Sequence, residues 1–146
     1  MTVRRRVTIA LLVVYSAFVA YLTLTPTGPD DGATTRLLKR LLDQLHAQGV
    51  LLWIDFLTIE FLANIAMFVP LGVLTALLIS RRNRWMLLVI GTAASGFIEL
   101  MQLLFLPERY ADWRDLVSNT IGFLLGAGLT LAISTRARAR TRARAK

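Results

Sequence analysis

Residues 7–25, 61–80 and 116–135 carry no charged side chain, and residues 85–107 carry one, Glu99. Each run is about 20 residues, which as a helix rising 1.5 Å per residue crosses a hydrocarbon core of roughly 30 Å. The remaining composition agrees. Hydrophobic residues make up 55% of the chain and charged ones only 18%, where a soluble domain would carry about 25%. Mean hydropathy is +0.58. The expected fold is an all-α membrane protein, a four-transmembrane-helix bundle occupying residues 7–135 as one domain. A basic segment, 1–6, precedes it and an Arg-rich tail, 136–146, follows, which leaves no room for a separate soluble domain.

The charges predict how the bundle sits in the membrane. Of the 17 Lys and Arg residues, Arg4–Arg6, Arg81, Arg82, Arg84, the five tail arginines from Arg136 to Arg144, and Lys146 fall on one side of a four-span arrangement. Those are twelve, against five on the other side. Apart from Glu99, the acids lie between spans one and two or around the loop between spans three and four. Basic residues favour the cytoplasmic face, so both termini are expected in the cytoplasm. Trp85 at the inner boundary, with Trp53 and Trp113 near the outer one, fits an aromatic belt.

Other readings of the ends fit less well. Arg4–Arg6 before an apolar run resembles a signal peptide, but the run exceeds the usual hydrophobic region and lacks a clear small-x-small cleavage site. The alternating Arg-Ala tail and a pI near 11.3 suit anionic lipid at the membrane surface, each basic residue there worth about 1 kcal/mol. A nucleic-acid partner is not expected. A homodimer stays open. With no cysteine in the chain, disulfides and thiolate metal sites are excluded.

Between the first two spans, Pro26, Gly28, Pro29 and Gly32 break the chain before a helical pattern begins. Leu37, Leu38, Leu41, Leu42 and Leu45 share one face, with Arg36, Lys39, Arg40, Asp43 and Gln44 largely opposite. A short extracytoplasmic amphipathic helix in the interface is expected, ending near Gly49. His46 in its last turn reads as a solvated helix-end residue. Residues 50–58 are apolar and too short to span, and are expected to be interfacial or re-entrant.

A dense polar series begins at Glu99 and continues through Gln102, Arg109, Asp112, Asp115 and Asn119. A carboxylate at membrane depth costs roughly 2.5–3.5 kcal/mol on insertion scales, so it is retained with partners or for a task. Gly91, Ser95, Glu99 and Gln102 fall within about 80° of the helical wheel, and Asp115, Asn119, Gly122 and Gly126 within about 60°. The expectation is a close hairpin of spans three and four, with Gly91 and Ser95 facing Gly122 and Gly126 and Glu99 beside Asn119. Asn64 on the second span supplies a third wall. Pro70 removes a backbone donor there and is expected to kink that helix.

These residues carry a resemblance. Asn64-xxx-Phe68-x-Pro70-x-Gly72, then Glu99-xx-Gln102, then Arg109-xx-Asp112-xx-Asp115-xxx-Asn119-xx-Gly122 is similar to the VanZ-like family of small bacterial membrane proteins. Leu22-Thr23-Leu24-Thr25-Pro26 at the end of the first helix adds to it. Together they cover roughly residues 15–128. Position 114 departs from the pattern, being Arg where an acid is common. The resemblance implies a cell-envelope protein linked to resistance to the glycopeptide teicoplanin, and it supplies no reaction.

Three functional readings follow from the residues. In one, an outward polar pocket binds a lipid head group or envelope precursor, Arg109 taking phosphate through its planar donors while Glu99, Asn119 and Asn64 orient the polar group. In another, the protein is a membrane enzyme on a lipid-linked substrate. Glu99 is then the candidate acid–base catalyst, and Asp112 and Asp115 would hold a hard cation such as Mg²⁺. In the third, Glu99, Gln102, Asn64 and Asn119 are hydrogen-bonded glue between helices. No nucleophile triad, zinc site or phosphate-binding glycine loop is present, so no resident metal or cofactor is expected.

The charge asymmetry makes a direct topological prediction. Single cysteines introduced at Thr34 and Tyr110 should react with an impermeant thiol reagent outside intact cells, and one at Asn83 should react only after lysis. Outside labelling at Asn83 would contradict the orientation.

Overall fold

The computed structural model describes residues 1–25, 33–106 and 112–144. The expected chain breakers Pro26, Gly28, Pro29 and Gly32, and Arg109 of the polar series, lie outside these residues. The described residues form five α-helices: α1 Val3–Leu24, α2 Ala33–Ala47, α3 Phe56–Leu78, α4 Met86–Phe105 and α5 Trp113–Arg144. Four of them, α1, α3, α4 and α5 up to Arg136, are long and apolar enough to cross a membrane. The chain is a four-span, all-α membrane protein.

Helix ends differ from the sequence expectation where capping chemistry overrides hydropathy. Thr2 caps α1, its hydroxyl accepting from the Arg5 amide, so Arg4–Arg6 lie inside the first turns of the helix and not before it. Asp55 caps α3, accepting from the Thr58 amide at 2.7 Å and the Thr58 hydroxyl at 2.6 Å. These bonds hold the Asp55 carboxyl below its ordinary range. Because of that cap, α3 starts five residues before the expected span and takes in residues 56–58 and Glu60. Residues 56–58 of the apolar 50–58 segment therefore belong to α3. At the other extreme α5 runs through the tail to Arg144, as alternating Arg and Ala, both good helix formers, allow.

The linking helix α2 is amphipathic as expected, with Leu42 buried on it and the Lys39 ammonium 4.7 Å from the centre of the Phe56 ring. It ends in a Schellman motif. The Gly49 amide donates to the His46 carbonyl and the Val50 amide to that of Leu45, both at 2.9 Å, with Gly49 at φ +73°. His46 does more than meet solvent: its Nε2 lies 3.1 Å from the Leu51 carbonyl and 3.0 Å from that of Ile54. Leu51 itself has φ +56°, a strained value for a γ-branched residue that the imidazole contact helps to hold.

The core is the seam between α3 and α5, two helices that run parallel. A Cβ built on Gly72 would lie 1.9 Å from the Phe123 carbonyl oxygen, one on Gly122 2.2 Å from that of Ile65, and one on Gly126 2.0 Å from that of Val69. This corrects the expected hairpin. The glycines of the fourth span face the second span and not the third, because the i, i+4 pair Gly122/Gly126 matches Ile65/Val69 along α3. The third span meets α5 through side chains instead: the Phe123 ring lies over Gly91, and the Ser95 hydroxyl donates to the Leu116 carbonyl at 3.3 Å. Phe123 is thus held on both sides, with Phe68 and Val19 closing the same buried cluster.

Pro70 sits inside a helix that continues to Leu78. It has no N–H for the Ala66 carbonyl four residues back; the next carbonyl, that of Met67, accepts from the Tyr15 hydroxyl of α1 at 3.0 Å, which ties α1 to α3.

The seam predicts a graded glycine series. Gly72→Ala, Gly122→Ala and Gly126→Ala should each destabilise the detergent-solubilised protein by about 1–3 kcal/mol through overpacking. Gly128→Ala, with nothing within 4 Å, should leave the melting temperature unchanged or raise it. Equal melting of all four variants would contradict the seam.

Candidate functional site: a polar cavity at the loop end of the bundle

Close α3–α5 contact draws the polar ends of these helices together. Asn64 Nδ2 donates to Asp115 Oδ1 at 2.8 Å, a bond across 51 residues of sequence. The third span joins through Gln102, only 6% exposed, whose Nε2 donates to the Thr23 carbonyl at 3.0 Å. Thr23 is in the last turn of α1, where carbonyls lack an intrahelical donor. A residue from every span is therefore tied into one polar layer.

That layer encloses a cavity of about 170 Å³. Asn64, Glu99, Gln102, Asp115 and Asn119 all line it, so five of the seven expected site residues meet at one place. Glu60, Thr23, Leu22, Met67 and Ile98 complete the wall. Glu60 falls outside the expected site because an apolar run starting at residue 61 excludes it. Its position one turn before Asn64 was the available signal, since i and i+4 share a face.

Asp112 does not line the cavity. Its carboxylate accepts from the Arg114 amide at 2.9 Å and its carbonyl from the Asp115 amide at 2.9 Å, which caps α5 and so orients Asp115. Arg109 lies outside the described residues. The expected packing residues divide as described above: Gly72, Gly122 and Gly126 form the α3–α5 seam, while Gly91 and Ser95 serve the α4–α5 contact.

Asn119 differs from its neighbours. It is 2% exposed, lines the cavity, and its Oδ1 has no hydrogen-bond donor among the described residues. A buried acceptor left without a donor costs about 1–3 kcal/mol. Chemically the wall is rich in acceptors, with the carboxylates of Glu60, Glu99 and Asp115 beside the Asn119 carbonyl. Among the described residues no cluster of three or more His, Cys, Asp or Glu is placed to hold a metal ion.

Comparison with known families matches the VanZ/LLP1 description over residues 12–134. The chain belongs to the VanZ/LLP1 family. No curated protein and no solved structure matches it. The matched segment runs from the middle of α1 to the apolar part of α5. It therefore includes every residue of the polar cavity and of the glycine seam, so the features described above belong to the VanZ-like domain itself.

Proposed function

We propose that this VanZ-like membrane protein receives the polar head group of an envelope lipid or lipid-linked precursor in the cavity between its four helices. The observation that carries this reading is Asn119, a buried acceptor without a described donor, lining a cavity that it shares with Glu60, Asn64, Glu99, Gln102 and Asp115. Side chains serving only as glue between helices would be expected to satisfy one another, as Asn64 and Asp115 do. A hydroxyl- or amine-bearing head group supplies the donor that the Asn119 Oδ1 lacks among the described residues. At about 170 Å³ the cavity is smaller than a typical ligand pocket, which suits one polar head while the lipid chains stay in the bilayer.

The asymmetry of twelve basic residues against five supports placing both termini in the cytoplasm of a bacterial inner membrane and opening the cavity outward. An outward cavity for an envelope lipid is a rational place from which to alter susceptibility to teicoplanin, the role the family resemblance implies. Arg109, six residues before Asp115 in the sequence, is the expected phosphate ligand, its planar donors matching phosphate oxygens in pairs.

Three substitutions test this reading. Asn119→Leu keeps the approximate size and removes the unsatisfied acceptor, so it should melt at or above the parent temperature yet lose head-group binding and any teicoplanin phenotype. Glu99→Gln and Arg109→Lys should also fold and lose function at matched protein levels. If Asn119→Leu instead melts lower and keeps its binding, Asn119 is packing and the cavity is not a site. Full activity in Glu99→Gln would exclude acid–base chemistry by that carboxylate.

A further inference from the structure

The opposite end of the bundle, where the spans bring the N-terminus and the tail together, carries a second and larger cavity. It measures about 700 Å³ and lies between the start of α1, the end of α3 and residues 130–134 of α5. Arg4 and Arg5 line it together with the hydroxyl side chains Thr2, Ser80 and Ser134. Ala76, Leu77 and Leu131 form an apolar wall beside them.

The sequence places no carboxylate side chain in residues 1–29, 61–98 or 116–146. The three helices that build this cavity therefore offer its arginines no acidic partner at this end of the bundle. Some of the hydroxyls are already engaged. Thr8 donates to the Arg4 carbonyl at 3.0 Å, Thr130 to that of Gly126 at 3.0 Å and Ser134 to that of Thr130 at 2.7 Å. Ser80 makes no side-chain cap bond, and Thr2 accepts from the Arg5 amide while keeping its own proton to donate. The donors left for a ligand are thus two guanidinium groups and two hydroxyls, at a helix start whose dipole also favours an anion.

We propose that this cavity binds the phosphate of an anionic phospholipid, held by Arg4 and Arg5 with Ser80 and Thr2. Charge complementarity decides for an anion, and the adjoining apolar wall, at the level where spans leave the bilayer, decides for a lipid over a free ion. Guanidinium pairs take phosphate oxygens two at a time. The acyl chains continue along the apolar faces of α1 and α3, where Val7 and Leu77 are exposed. This site is separate from the loop-end cavity and does not depend on what that cavity binds.

The test uses the full chain in detergent, titrated with dioctanoyl phosphatidylglycerol, dioctanoyl phosphatidylcholine and inorganic phosphate. Binding is read by native mass spectrometry and by the shift in melting temperature. The anionic lipid should bind about tenfold or more tightly than the zwitterionic one, and the double variant Arg4→Gln/Arg5→Gln should lose about that factor. Arg4→Lys/Arg5→Lys keeps the charge that sets topology, so it guards against misinsertion; it should still weaken binding by losing the paired geometry. Arg138→Gln/Arg140→Gln removes equal charge from the tail and should change binding less than about twofold if the contact is local. An equal loss in the tail variant would overturn the site in favour of diffuse attraction. Equal binding of both lipids, or of inorganic phosphate as tightly as the anionic lipid, would overturn the assignment to an anionic phospholipid.

Discussion

The rest of the structure depends on the direct backbone contact between α3 and α5. Three glycines allow it, two on α5 and one on α3, and at each of them a Cβ would fall within 2.2 Å of a facing carbonyl oxygen. Between helices in a membrane there is little hydrophobic force, because lipid tails are as apolar as leucine. Association then rests on close packing and hydrogen bonds. Small residues supply the packing, and Phe123, pressed by its backbone on Gly72 and by its ring on Gly91, transmits it to α4. α1 is attached more lightly, through Tyr15 to Met67 and through Gln102 to Thr23.

That contact makes the polar layer affordable in hydrocarbon. Glu60, Glu99 and Asp115 would be costly on separate lipid-facing helices. Drawn together by the helix packing, they share one enclosure with Asn64, Gln102 and Asn119, and the Asn64 and Gln102 amides donate to partners on neighbouring spans. The two ends of the bundle consequently have opposite chemistry. One cavity is walled by carboxylates and amides, the other by guanidinium and hydroxyl groups. A bundle whose seam is this tight holds both at fixed positions, a precondition for recognising a head group at either end.

Much of the fold was legible because the bilayer imposes a length. Four apolar runs of about 20 residues admit little but four spanning helices, and the polar series from Glu99 to Asn119 supplies four of the ten residues that line one cavity. The failures have physical causes. Helical periodicity says which face Gly122 and Gly126 occupy but not which helix meets it, so α4 was expected where α3 packs. Glu60 was left outside its span because a charge marks the end of an apolar run, although the Asp55 cap carries α3 past it. Gln102 was recognised as polar, but its partner is a main-chain carbonyl of Thr23, which no pattern of side chains reveals. Asp112 belongs to the polar series by sequence, and its position just before Arg114 and Asp115 lets it accept from both of their amides at the start of α5.

The most direct test of this account is the proximity of α3 and α5 beside the cavity, measured in the membrane. The chain has no cysteine of its own, so Asn64→Cys and Asp115→Cys introduce the only thiols. A short bifunctional thiol reagent should join them within one chain in native membranes, as the 2.8 Å bond between the parent side chains predicts. A pair at Phe97 and Asp115, with Phe97 59% exposed on α4, should stay unjoined. Failure of the first pair to link, with both thiols reacting singly with a monofunctional reagent, would contradict the seam and the cavity built on it.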